Sequence, residues 1–245
     1  MRLQEVYRPL DTLKPVTDDV WIVDSGPHVT MGIPLPVRMT VIRLPDGELL
    51  LHSPTRYVEG LAGELRAVGP VRHIVLPNSA HWTHAKAWQE HYPAADTWAA
   101  PGLRDRRPVR RSALRIDRDL AEHPPAEWSG CLDQVLVRGA GGFAEIAFFH
   151  RPSRTLVLTD LVVNVPPALL PFPARLGARL VGATAPDGRA PAYLRAAVLW
   201  RRKEAAAAAL RMIEWNPERV IFAHGDWFGE NGSRHLRRSL AWLLD

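Results

Sequence analysis

Cysteine is almost absent. Cys131 stands alone in a chain of 245 residues, so no disulfide forms within the chain and no thiolate cage holds zinc. Lysine is scarce too, supplying only 3 of the 31 basic residues. With the many alanines and prolines, that arginine bias reads as base composition, and the net charge of +5 does not mark a nucleic-acid partner. Long apolar runs are missing. The longest nearly uncharged stretch, residues 155–174, contains Asp160 and four prolines. Each proline inside a helix costs about 3 kcal/mol, which excludes a membrane span there. The start, MRLQEVYRPLD, has no apolar signal core, so the expected location is the cytoplasm. G-x-S-x-G and P-loop motifs are absent. Gly139–Ala144 formally fits G-x-G-x-x-A, but a dinucleotide site needs a helix next, and Ala144–Phe149 is β-prone.

What is present is an ordinary globular composition, 47% hydrophobic and 23% charged. Residues 1–19 read as an irregular lead-in. Val20–Val23 reads as a strand closed by Asp24-Ser-Gly-Pro27. Met39–Leu44 and Glu48–Leu51 flank Pro45-Asp-Gly47, a hairpin signal. Val58–Val68 has helical spacing, with Leu61, Leu65 and Val68 on one face. His73–Leu76 is a short buried-strand run, followed by a polar loop with His81 and His84 and then a helix through Trp88. Thr97–Ala99 reads as a further short strand. Arg104–Arg118 holds seven arginines and two aspartates; without aromatics to stack on bases, it reads as a solvated edge. Leu132–Val137, Ala144–Phe149, Thr155–Thr159 and Arg219–Ala223 read as strands, and Arg201–Trp215 as a helix. Ser233 is a plausible N-cap for a last helix carrying Leu236, Leu240 and Leu243.

Four apolar runs end in a side chain able to bind or catalyse. Leu49–Leu51 ends at His52. Ile74–Leu76 ends near Asn78, His81 and His84. Thr155–Thr159 ends at Asp160, and Val220–Ala223 ends at His224. Ligands in α/β proteins gather at the carboxyl ends of strands. Converging ends would join imidazoles and a carboxylate in a site for zinc or a similar metal. His81 and His84, at i and i+3, would share a helix face. Beside His224, Gly225 allows close backbone approach and Asp226 could orient the ring. His28, His73, His91, His123, His150 and His235 read as structural.

The order of these landmarks resembles the metallo-β-lactamase fold superfamily across nearly the whole chain. The phrases that carry the resemblance are Arg38–Gly47, Leu51-His-Ser-Pro54, Glu145–His150 with Thr155–Asp160, and Ala223-His-Gly-Asp226. It implies one α/β domain over residues 1–245, a four-layer αββα sandwich with one or two metals, usually zinc, at an edge between the sheets. Many such proteins hydrolyse lactams, thioesters, lactones or phosphodiesters. The hallmark H-x-H-x-D-H loop is degenerate. Its register falls on Asn78, Ala80, Trp82 and Thr83, with His81 and His84 each one position out of step. A further family histidine would fall near Gly139–Gly142, where none exists.

The expectation is therefore a metal-dependent hydrolase of an ester, lactone, thioester or amide, acting on a small molecule. Its site would be remodelled around one zinc ion, with His81, His84, Asp160 and His224 as ligands. Asp160 and Asp226 would be catalytic, and His52 and Asn78 would contact ligands or substrate. No nucleic-acid or membrane partner is expected. The alternative is a catalytically silent protein of this fold that binds a small molecule or protein partner.

Overall fold

The computed structural model describes residues 7–30, 33–170, 172–180, 182–186 and 188–244. Strands β1 (Lys14–Thr17), β2 (Val20–Thr30), β3 (Ile33–Arg43), β4 (Leu49–His52), β5 (Val71–Leu76), β6 (Asp96–Ala99) and β7 (Arg118–Asp119) pair in that order into a seven-stranded sheet. Its first four strands are antiparallel neighbours, and the rest add on in parallel. Strands β8 (Leu132–Arg138), β9 (Ala144–His150), β10 (Thr155–Val157) and β12 (Arg219–Ile221) make a second sheet in the order β12-β10-β9-β8. Two short strands, β11 (Val163–Asn164) and β13 (His224–Gly225), pair by themselves.

Alternate residues of each strand point to opposite faces, and that alternation sorts the side chains into layers. Leu50 and Val75 of the first sheet pack against Ile146, Phe148 and Val157 of the second, filling the space between the sheets. Leu49, Leu51, Ile74 and Leu76 turn the other way, onto α1 (Glu59–Val68), α2 (Ala85–His91) and α3 (Arg107–Arg111). Ala147, Phe149 and Leu156 likewise turn outward. They meet α5 (Ala192–Leu199), α6 (Arg202–Glu214) and α7 (Gly232–Leu244). The nine-residue helix α4 (Phe172–Leu180) lies between β11 and α5 in the chain. The result is the four-layer αββα sandwich. No helix among the described residues is long and apolar enough to cross a membrane.

Several local expectations need correcting. The lead-in over residues 1–19 is not irregular throughout: residues 14–17 form β1, while residues 1–6 lie outside the described residues. Asp24–Pro27 does not end its strand. Gly26 takes φ 115°, the register against β3 shifts between Ser25 and His28, and β2 runs on to Thr30. Such a bulge absorbs residues that cannot pair regularly. His81 and His84 do not share a helix face, because α2 begins at Ala85 and both rings sit in the turn before it. Ser233 is not an N-cap: α7 already starts at Gly232, where a Cβ would sit 2.8 Å from the Glu218 carbonyl oxygen. The arginine-rich stretch is a surface edge as expected. Arg104 pairs with Asp119, Arg115 with Asp117, and Arg118 with Asp96 and Glu127.

Candidate metal centre

Three of the predicted strand ends do converge. One ligand atom each from His81, Asp160 and His224 lies within 4.8 Å of the others. His81 comes from the turn after β5, Asp160 from the turn after β10, and His224 opens β13. Both imidazoles aim Nε2 at the same carboxylate oxygen, Asp160 Oδ1, at 3.3 Å.

The surroundings set those orientations. His224 Nδ1–H donates to the Pro36 carbonyl oxygen at 2.8 Å. A carbonyl only accepts, so the hydrogen of the neutral ring is on Nδ1, and Nε2 presents a bare lone pair. His81 Nδ1 meets Ser53 Oγ at 2.7 Å. Asn78 Nδ2 donates to Asp160 Oδ2 at 2.8 Å, leaving Oδ1 for the imidazoles. The Asn78 amide oxygen accepts from the backbone N–H groups of Ala80 and His81, which shapes the turn that presents His81. Burial by itself pushes the Asp160 carboxyl up, but the facing His81 and His224 rings, whenever their Nε2 carries a proton, outweigh it and hold it well below the usual carboxylate range. Burial pulls His81 down, and the Asp160 carboxylate outweighs that and raises it.

A second tier fixes the backbone. Glu145, fully buried, accepts from the Thr159 N–H at 2.8 Å and the Asp160 N–H at 3.0 Å, so it holds the turn that carries Asp160. Burial pushes its carboxyl up, and the Asp160 charge adds to that. Arg38, also buried, donates through Nη1 to the carbonyls of Phe222 at 3.0 Å and Gly225 at 2.8 Å, one on either side of His224. Its Nη2 pairs with Asp24 at 2.6 Å. Gly225 has φ 93°, and a Cβ there would fall 2.2 Å from the Asn164 carbonyl oxygen. Only glycine permits this approach of β13 to β11.

Other predicted site residues lie elsewhere. His84 stands outside the trio, its ring edge-on to His28 with centroids 5.5 Å apart. Burial holds both of these rings below the usual imidazole value. Asp226 does not orient the His224 ring. It accepts from the Tyr7 hydroxyl at 2.8 Å, and Pro36 takes the role expected of it. His52 is not at the substrate surface. It is sealed between the sheets, edge-on to Phe148, with neither nitrogen hydrogen-bonded, and burial pulls its pKa down to about 3. Sequence reasoning missed Arg38, Ser53, Glu145 and Tyr193, and it set His28 aside as structural. Glu145 alone had a signal, as the one charge in an otherwise apolar strand. His28 reaches the site only because the β2 bulge carries the strand onward.

The trio opens into a 270 Å³ pocket walled by His28, His84, Ser53, Thr55, Val163 and Tyr193, among others. The Pro-rich segment 165–188 is long enough to cover such a pocket. Its described side chains instead pack on Tyr7 and Leu35 beside the pocket, through Val165, Leu169, Leu170 and Ala183. Pro191 and Tyr193, at the start of α5, line the opening in its place.

The four layers are those of the metallo-β-lactamase fold, and the trio sits on the rim between the two sheets. The chain belongs to the family described as Domain of unknown function (DUF4336), whose model matches residues 17–176. That match takes in His81 and Asp160 and stops short of His224. The chain is similar in structure to a metallo-beta-lactamase from Pontibacter korlensis, with 14% identity, TM-score 0.64, and 95% of this chain and 98% of that one covered. It is also similar to the metallo-beta-lactamase FIM-1 from Pseudomonas aeruginosa in its mono-zinc form, with 17% identity, TM-score 0.64, and 95% and 94% covered. A metallo-beta-lactamase from Erythrobacter litoralis, with beta mercaptoethanol in its active site, gives 13% identity, TM-score 0.62, and 95% and 94% covered. No curated protein matched the sequence.

Proposed function

We propose that the chain is a metal-dependent hydrolase of a small ester, lactone, thioester or amide, with one zinc ion held by His81, Asp160 and His224. One observation carries this reading. A bare Nε2 lone pair on His224 points at a carboxylate oxygen 3.3 Å away. Two acceptors face each other stably only with a cation or a proton between them. The donor set suits zinc, which takes imidazole nitrogen and carboxylate oxygen. Bonds of about 2.0–2.1 Å in a tetrahedron put ligand atoms about 3.3 Å apart, the separation seen from Asp160 to each ring. Three protein ligands leave a fourth position open, the pattern of catalytic rather than structural zinc.

When bound, the metal lowers the pKa of a water toward about 7 and polarises the scissile carbonyl. The chain's own residues do the rest. Pro36 and Ser53 fix the ring faces. Asn78 holds one oxygen of Asp160 so that the other stays aimed at the rings. His28 and His84, held neutral by burial, line the mouth and present hydrogen-bonding nitrogens to a substrate. Tyr193 lines the same pocket.

Metal analysis of the purified chain tests this. About one equivalent of zinc is expected, removable by chelation, with esterase or lactonase turnover lost on removal and regained on adding zinc back. A chain that folds normally, retains no zinc and gains none would instead favour a silent binding protein. The degenerate loop, with Ala80, Trp82 and Thr83 at the family's ligand positions, supports that second reading. Outer partners of metal ligands are typically worth 10–100-fold in affinity. Arg38→Lys keeps the charge beside Asp24 but loses the forked reach to Phe222 and Gly225. It is expected to weaken zinc binding about tenfold, measured by competition with a chromophoric chelator. Unchanged affinity would remove Arg38 from the account of how His224 is held.

A further inference from the structure

A groove of about 630 Å³ lies beside the metal centre, where Pro101 and Gly102 follow β6 and Ala144 begins β9. The next residue of β9, Glu145, touches the Asp160 turn, so groove and trio share one rim of the sandwich. The groove's floor is the Gly139–Gly142 turn, the glycine-rich motif that failed as a dinucleotide fingerprint. Gly141 and Gly142 have φ 65° and 74°, and a Cβ on either would meet nothing within 4 Å, so the floor is bare backbone. Gly139 is pressed under α5, since a Cβ there would lie 3.0 Å from the Ala197 carbonyl oxygen. Turn and helix therefore form one packed unit.

Around this floor stand Arg106, Arg138, Arg201 and Trp200. Several neighbouring arginines are neutralised: Arg104 by Asp119, Arg115 by Asp117 and Arg201 by Glu204. Arg106 and Arg138 have no acidic partner among the described residues, and Trp200 is 81% exposed. Two unpaired guanidinium groups suit a phosphate, and an exposed indole offers a stacking face. The helix α5 ties this groove to the metal centre. Its first turn supplies Tyr193 to the zinc pocket, and Trp200 follows its last residue. At 1.5 Å per residue the two ends are about 10 Å apart.

We propose that this groove holds the phosphorylated aromatic tail of the substrate, a nucleotide-like group with its ring on Trp200 and its phosphate between Arg106 and Arg138. The hydrolysable acyl group would then reach the trio one helix length away. That the bound compound is a substrate rests on the hydrolase reading above; that the groove binds it does not.

Isothermal titration of the full chain with adenosine 5′-monophosphate, adenosine and inorganic phosphate separates the two. The mononucleotide is expected to bind at least tenfold tighter than either part alone. R106A/R138A should weaken it at least tenfold and W200A about fivefold, with circular dichroism unchanged because these side chains lie at the surface. Binding that ignores both substitutions, or none at 1 mM, would overturn the proposal. So would a ten-nucleotide single strand binding a hundredfold tighter than the mononucleotide, which would make the groove part of a nucleic-acid path. In zinc-loaded protein, W200A should raise KM for acetyl coenzyme A, a nucleotide-tailed thioester, with kcat within twofold. Mononucleotide binding that both substitutions weaken, with no turnover of any ester or thioester, would sink the hydrolase reading and leave the groove standing.

Discussion

His224→Ala is expected to reduce zinc from about one equivalent to below a tenth, and to cut turnover more than a hundredfold. That exceeds the 10–100-fold typical of removing an outer partner, because a ligand itself is lost. The fold should survive. His224 belongs to the two-residue strand β13, which pairs with β11 and packs on β3, and its side chain is not among the residues that fill the hydrophobic core. The substitution also removes one of the rings that hold Asp160 in its charged state. Metal content by mass spectrometry and thermal melting of the same sample separate loss of site from loss of structure. Zinc retained at wild-type level in a folded H224A chain would rule out the trio as the ligand set.

Glu145→Gln should be the most damaging conservative change, about 2–4 kcal/mol in stability. The carboxylate is fully buried and receives the backbone N–H groups of Thr159 and Asp160, with Asn78 Nδ2 at 3.4 Å. In glutamine one of the two oxygens becomes an NH₂ group, so a donor faces donors and at least one buried N–H goes unpaired, at about 1–3 kcal/mol each. For a domain of this size about 2–4 °C is lost per kcal/mol, giving a melting point about 5–15 °C lower. Zinc affinity should fall in parallel, because the same turn presents Asp160. Thermal and urea unfolding measure the first effect, and chelator competition the second. A loss below about 1 kcal/mol would mean that the turn holds itself, and that Glu145 is not its anchor.

Much of the architecture could be read locally. Alternating burial in Leu49-Leu-Leu51 and Ile74-Val-Leu76 needs only the two-residue repeat of a strand, and the turn at Asp46-Gly47 needs only its own chemistry. The short reach of these signals also explains the errors. Asp24-Ser-Gly-Pro27 looks like a stop in isolation. Yet β2 continues past it, because β3 alongside supplies partners as far as Ile33. His84 and His81 are equivalent by spacing, and only the turn before α2 sends one ring to Asp160 and the other to His28.

The amino-acid order by itself determined most of the strands and helices and the fact that polar side chains wait at strand ends, and each of those depends on neighbours a few residues away. The αββα class came from the order of landmarks along the whole chain, through its resemblance to a known fold. Which polar side chains meet was decided in three dimensions, by how two sheets stack and how buried Glu145 and Arg38 pin the turns bearing Asp160 and His224. His52 shows the difference. It follows an apolar run just as His224 does, yet the pleat turns its ring into the dry space between the sheets, where it has no partner to bind.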